Sequence, residues 1–125
     1  MPGPFPYASG HGSTLAPACE VRLSWNGNSM AIRGVIDSGA SRTLIPDELV
    51  AQLQLRKVRE NIVSGATEAQ GKVMGYYIVN IEFLGLRFDN HTVIAGPKSY
   101  ILIGREILNR YRTHLDGPQL QFSID

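Results

Sequence analysis

The sequence predicts one mainly β domain carrying one or two short helices, and three observations support this. Residues 19–25 alternate strictly: Cys19, Val21, Leu23 and Trp25 fall on one face and Glu20, Arg22 and Ser24 on the other, the period of a half-buried strand. Asn26-Gly27 follows at once, a pair that accepts the positive φ angles of a tight hairpin turn. The end of the chain alternates in the same way, with Leu120, Phe122 and Ile124 set against Gln119, Gln121 and Ser123. A chain of 125 residues with 13 glycines and 7 prolines fits one turn-rich domain and has no room for two lobes with separate cores.

Taken in order, residues 1–13 hold three prolines and three glycines among few apolar anchors, so they read as a flexible N-terminal leader, with the domain proper spanning 14–125. After the Asn26-Gly27 turn, a second strand should run back through 30–36 and end at Asp37. Pro46-Asp47-Glu48 has the form of a helix start, proline pre-set in φ and acids in the first turn, with Leu49, Val50 and Leu53 as its apolar stripe. Strands over 58–63 and 72–83 flank Ser64-Gly65-Ala66-Thr67-Glu68-Ala69-Gln70-Gly71, a tip too polar and too small for a core and therefore an exposed hairpin. A further strand is expected over 88–95. Tyr100-Ile101-Leu102-Ile103 is an apolar run ended by Gly104, and Ile107, Leu108 and Tyr111 then share one face of a helix from 105 to about 112. The tail over 119–124 makes the last strand.

Several function classes lose support on composition. A formal net charge of +1, with no run of Lys and Arg interleaved with aromatics, supplies no basic field for a phosphate backbone, so nucleic acid is not an expected partner. Cys19 is the single cysteine, which excludes an intrachain disulfide and a cysteine-rich zinc site; no metal and no cofactor are expected. The N-terminus lacks the positive start and apolar core of a signal peptide, and no apolar run reaches bilayer length, so the expected location is cytoplasmic, away from membranes. Asn90-His91-Thr92 then reads as an accidental glycosylation sequon. His11, His91 and His114 are scattered, and neither Gly-x-Ser-x-Gly nor His-Glu-x-x-His occurs, so serine hydrolase and metalloenzyme readings have no positive support.

Chemistry concentrates at Val35-Ile36-Asp37-Ser38-Gly39-Ala40. Two β-branched residues carry an acid toward the interior, glycine permits a sharp turn, and the hydroxyl and nearby amides can solvate the charge that burial penalises. Alone, Asp-Ser-Gly is a common turn tripeptide. Its context is less common: Ile101-Leu102-Ile103-Gly104-Arg105-Glu106-Ile107-Leu108 is a second apolar run into glycine, followed by arginine and a helix. An apolar pair, Asp-Ser-Gly-Ala, a glycine-edged hairpin, then an apolar pair with Gly-Arg and a short helix, in that order in one small domain, resembles the retropepsin family of aspartic proteases. The similarity runs over residues 15–125.

The resemblance implies a closed barrel or β-sandwich half that acts as a homodimer. Residue by residue, it makes Asp37 the catalytic acid, Ser38 the hydroxyl that braces two active-site loops against each other, Gly39 a substrate-contacting turn and Ala40 the next loop position. Ile103, Gly104 and Arg105 match the segment packed under that loop. The hairpin with Gly65, Ala66, Thr67, Glu68 and Ala69 matches the substrate-covering flap. One position departs: retroviral members usually place an acid after the alanine, paired with the arginine, and here it is Ser41, so Arg105 needs another partner and the chain looks closer to cellular and bacterial-type relatives. Catalysis in such a fold uses two carboxylates at close range, and two like charges so placed cannot both ionise, an effect of which aspartic proteases are the standard example. With one such motif per chain, the second acid should come from Asp37 of another copy, and the tail strand, with its apolar face and free edge, is the expected inter-subunit element. The substrate would be an extended peptide or protein. The competing expectation is a catalytically inactive dimeric module kept for binding or scaffolding.

Overall fold

The computed structural model describes residues 3–9, 12, 14–63 and 72–125, apart from the side chains of 60–63, 72 and 73. The expected flap tip, with Gly65, Ala66, Thr67, Glu68 and Ala69, lies outside the described residues. In chain order the elements are β1 (Phe5–Pro6), β2 (Ala8–Ser9), β3 (Leu15–Ala16), β4 (Ala18–Trp25), β5 (Asn28–Ile36), β6 (Leu44–Pro46), α1 (Asp47–Gln52), β7 (Arg56–Val63), β8 (Lys72–Phe83), β9 (Leu86–Gly96), β10 (Ile101–Ile103), α2 (Arg105–Leu108), β11 (Thr113–Asp116) and β12 (Gln121–Ile124).

The principal sheet runs β4-β5-β10-β6-β9-β8-β7, and a further β4–β8 pairing closes six of its strands into a barrel with β7 outside the ring. Alternation in β4 places Cys19, Val21 and Leu23 inside, and Asn26 and Gly27 take the positive φ angles of 49° and 82° that the hairpin into β5 requires. In β9 the register against β8 shifts between Val79 and Ile81, beside Asn90 at φ 53°, whose N–H donates to Asn80 Oδ1. This bulge changes the parity of β9, so that Phe88 and Val93, five residues apart, are both buried. Leu49 of α1, Leu53 just past its end, and Ile107 and Leu108 of α2 join the same core. At roughly 1.5–3 kcal/mol for each fully buried large apolar side chain, these contacts account for the main stabilisation.

Three findings differ from the sequence expectations. α2 ends at Leu108, about a turn short of the expected length, and the chain passes through a turn into β11, a strand without strict alternation. The tail strand β12 is not a free edge: it lies between β1 and β11 in a three-stranded sheet, with Phe122 and Ile124 buried. Part of the stretch read as a leader also packs on the fold. Phe5–Pro6 pairs with β12, the Tyr7 N–H donates to the Leu120 carbonyl at 2.7 Å, and the rings of Phe5 and Tyr7 lie 5.6 and 6.2 Å from that of Phe122. The proline and glycine content of that stretch concealed the two aromatic anchors that hold it.

Candidate active site

β5 and β10 run parallel with Ile36 opposite Ile103, and the chain leaves the barrel at Asp37. The Asp37 N–H continues the ladder by donating to the Ile103 carbonyl at 3.0 Å, so the acid sits where the sheet gives way to the loop. There the chain turns: the Ala40 N–H donates to the Asp37 carbonyl, and the Gly39 N–H donates to Asp37 Oδ1 at 2.9 Å. A side chain at residue 39 would bring its Cβ to 3.1 Å from that same oxygen, an approach close enough to displace the Asp37 carboxylate by a few tenths of an ångström. Asp37 is partly buried, while Ser38 and Gly39 are exposed.

The loop is fastened from beneath by α2. The Arg105 N–H donates to the Ala40 carbonyl at 2.8 Å, and Arg105 Nη1 donates to the Ser38 carbonyl at 3.0 Å. The partner of Arg105, left open by Ser41, is therefore a main-chain carbonyl. One residue on, Glu106 Oε1 accepts from the Thr43 N–H at 2.9 Å, and Thr43 Oγ1 accepts from the Gly104 N–H at 3.1 Å. A Cβ on Gly104 would stand 2.5 Å from the Arg42 carbonyl carbon, so only glycine lets these segments meet. Glu106 Oε2 lies 2.8 Å from His91 Nε2 on β9, with both side chains nearly buried at 14% and 10% exposure. Burial raises the Glu106 carboxyl, but hydrogen bonds from His91 and from both the hydroxyl and the N–H of Thr43 outweigh it and hold the group below its ordinary value.

Thus Asp37, Ser38, Gly39, Ala40, Ile103, Gly104 and Arg105 come together as one unit. The sequence reading missed Thr43, His91 and Glu106. A glutamate in a helix's first turn ordinarily reads as a dipole partner, and no spacing ties it to residues 43 and 91.

The sheet face that carries Asp37 also carries an apolar row. Val35, Leu102, Leu44 and Ile94 are successive register partners across β5, β10, β6 and β9, all partly exposed, while Ile36, Ile103, Ile45 and Ala95 one residue on are buried. By strand alternation Asp37 shares the face of Val35. An acid at the end of an open apolar floor suits an extended chain laid across it. Among the described residues no group of three or more His, Cys, Asp and Glu side chains is placed to share a metal ion, and no helix is long and apolar enough to cross a membrane.

Comparison with known proteins agrees with this geometry. The chain matches the family described as aspartyl protease over residues 21–107. Its fold resembles a retropepsin-like aspartic protease from Rickettsia conorii, at TM-score 0.63 and 16% identity, covering 99% of this chain and 92% of that one. It also resembles EIAV protease in complex with an inhibitor, at TM-score 0.55 and 17% identity over 76% and 86% of the two chains. A third likeness is to a foamy viral protease-reverse transcriptase, at TM-score 0.58 and 17% identity, covering 78% of this chain but 16% of that longer one. No curated protein matches by sequence.

Proposed function

Because this chain belongs to the aspartyl protease family, we propose that it is a homodimeric aspartic endopeptidase whose catalytic pair is Asp37 from each of two copies. The observation that carries the reading is the presentation of Asp37: a partly buried carboxylate at the sheet's edge, one oxygen held by the Gly39 N–H, on a loop fastened by Arg105. In the dimer, two such carboxylates across a two-fold axis share one proton. The ionised one takes a proton from a bound water as that water attacks the scissile carbonyl carbon. The protonated one donates to the carbonyl oxygen, giving a tetrahedral diol. Collapse of the diol breaks the C–N bond, with proton transfer to the departing amine, and the pair returns to its starting state. The peptide lies extended over the row of Val35, Leu102, Leu44 and Ile94.

Dimerisation is supported by the surface beside the loop. A pocket of about 290 Å³ there is lined by Ile36, Ser38, Leu108, Tyr111, Thr113 and Leu115. Leu115 is 57% exposed, and the buried Thr113 Oγ1 has no hydrogen-bond partner among the described residues. A second copy over this surface would cover the leucine and bring two Ser38 loops together. With β12 already flanked by β1 and β11, this surface rather than the tail strand is the proposed contact.

Asp37→Asn preserves size and hydrogen bonding but removes the acid and base. Wild type should cleave members of a broad peptide library at acidic to neutral pH, and Asp37→Asn should cleave none while keeping wild-type circular dichroism. Cleavage retained by the variant overturns the mechanism, and a wild type that cleaves nothing returns the chain to a binding or scaffold role.

A further inference from the structure

We propose that a pocket beside the apolar floor is a subsite that reads an acidic side chain of the bound polypeptide; this deepens the protease reading and rests on it. The pocket, of about 520 Å³, is walled by Arg42 from the segment entering β6, by Arg87 and Thr92 of β9, and by Arg110 just beyond α2. Arg42 and Thr92 stand two residues before Leu44 and Ile94, register partners in the floor. Two residues is one strand repeat, so Thr92 projects on the same face as Ile94; carried through the registers of β9, β6, β10 and β5, this step leads toward the end of the sheet that holds Asp37, and the pocket prolongs the floor there, three strands across from the acid.

Its charge is unbalanced. Arg42 donates Nη1 to a neutral acceptor, the Thr92 carbonyl, at 3.1 Å. The Arg110 guanidinium lies 5.5 Å from the Phe88 ring centroid. Neither arginine has a carboxylate partner among the described residues. The two acids that line the pocket are already engaged, Asp89 by Arg87 at 2.9 Å and Glu106 by His91 at 2.8 Å. Arg87 also reaches Glu82 at 3.5 Å. Two guanidinium groups are thus left facing a polar cavity, in a chain whose net charge is only +1. Guanidinium presents a planar fork of donors that matches a carboxylate. An extended peptide on the floor would carry a Glu or Asp side chain into that fork at a fixed distance from the cleaved bond.

To test this, a peptide cleaved by wild type is resynthesised with Glu, Gln or Lys at each position outward from the scissile bond. At one position Glu should give a KM about five-fold lower than Gln, the effect of a part-exposed ion pair, with kcat moving less. The preference should shrink with added salt. Arg110→Gln should abolish it and Arg110→Glu should transfer it to Lys, a reversal that simple structural damage cannot produce. Arg42→Lys should keep more of it than Arg42→Gln. A wild type that cleaves without preferring Glu at any position, or a preference untouched by both arginine substitutions, overturns the subsite and leaves the protease reading standing. If wild type cleaves nothing, direct binding of the same peptides decides. Arg110-dependent selection of acidic peptides would uphold the subsite and sink the protease reading, whereas equal binding of Glu and Gln peptides would overturn both.

Discussion

Replacing Thr43 by valine should destabilise the protein by about 2 kcal/mol without altering the shape of its core. Thr43 is fully buried; its hydroxyl oxygen accepts the Gly104 N–H, and the hydroxyl donates to Glu106. Valine leaves the Gly104 N–H buried with no acceptor, at about 1–3 kcal/mol, and deprives Glu106 of one donor, at about 0.5–1.5 kcal/mol. The added methyl returns at most about 0.8 kcal/mol. With an unfolding entropy of roughly 2.1 cal/mol/K per residue, a chain of this length should lose about 8 °C in Tm for 2 kcal/mol. Thr43→Ser is the counterpart: it keeps the hydroxyl and loses a buried methyl, at about 1 kcal/mol. Thermal unfolding followed by circular dichroism, at one protein concentration because the proposed dimerisation would make Tm depend on it, should rank wild type above Ser and Ser above Val. Apolar burial alone predicts the opposite order for the two variants. A valine variant as stable as the serine variant would refute the role given to this hydroxyl.

Three further outcomes are expected. Glu106 is held below its ordinary 4.5, so its stabilising contribution is present above that value and is lost as pH falls through the lower folded-state value. Urea unfolding at successive pH values should show wild type losing stability in that acid window and Glu106→Gln, less stable at neutral pH, losing much less; parallel curves would exclude the linkage. Leu115→Asp places a charge on an exposed strand position, so it should spare the folded chain while shifting sedimentation toward monomer and lowering activity at low enzyme concentration; an unchanged dimer would remove Leu115 from the interface. The Cys19 thiol is pushed up to about 11 by burial, against the lowering influence of Arg33, so it should resist iodoacetamide at mildly alkaline pH in the native protein and react once urea unfolds the chain. Rapid native labelling would contradict that burial.

What the sequence revealed depended on how local the determining physics was. The β4–β5 hairpin was legible because alternation and Asn26-Gly27 lie within one window, and the start of α1 because Pro46 and its acids adjoin. The Asp37 loop and Ile103-Gly104-Arg105 were legible as two motifs, each continuous in sequence. β9 was harder, since its bulge at Asn90 breaks the period on which strand recognition relies. Glu106 and His91 were not legible as a pair. They meet because the fold brings β9 beside the start of α2, and Thr43 joins them through its bond to Glu106, a contact that carries no compositional trace. The packing of Phe5 and Tyr7 on Phe122 was hidden for the same reason: its partners are separated by almost the whole chain.

The absence of an acid at position 41 changes how the loop is held without leaving it loose. Arg105 and Glu106, consecutive in α2, fasten the loop at both ends: the arginine takes the carbonyls of Ser38 and Ala40 through its side chain and N–H, and the glutamate takes the N–H of Thr43. All three groups that the loop contributes are main chain, so substitutions at residues 38, 40 and 41 leave the acceptors in place. Ser41 is exposed, and Ser38 contributes its carbonyl to the clamp. In the proposed dimer the exposed Ser38 hydroxyl would meet a partner loop, while the negative charge beside Arg105 sits on Glu106, where His91 and Thr43 already satisfy it. Moving that charge from the loop to the helix separates the task of holding Asp37 from the task of presenting it. The Asp37 carboxylate keeps the Gly39 N–H as its hydrogen-bond donor within the chain, and in the proposed dimer its second oxygen would face the attacking water and the matching carboxylate.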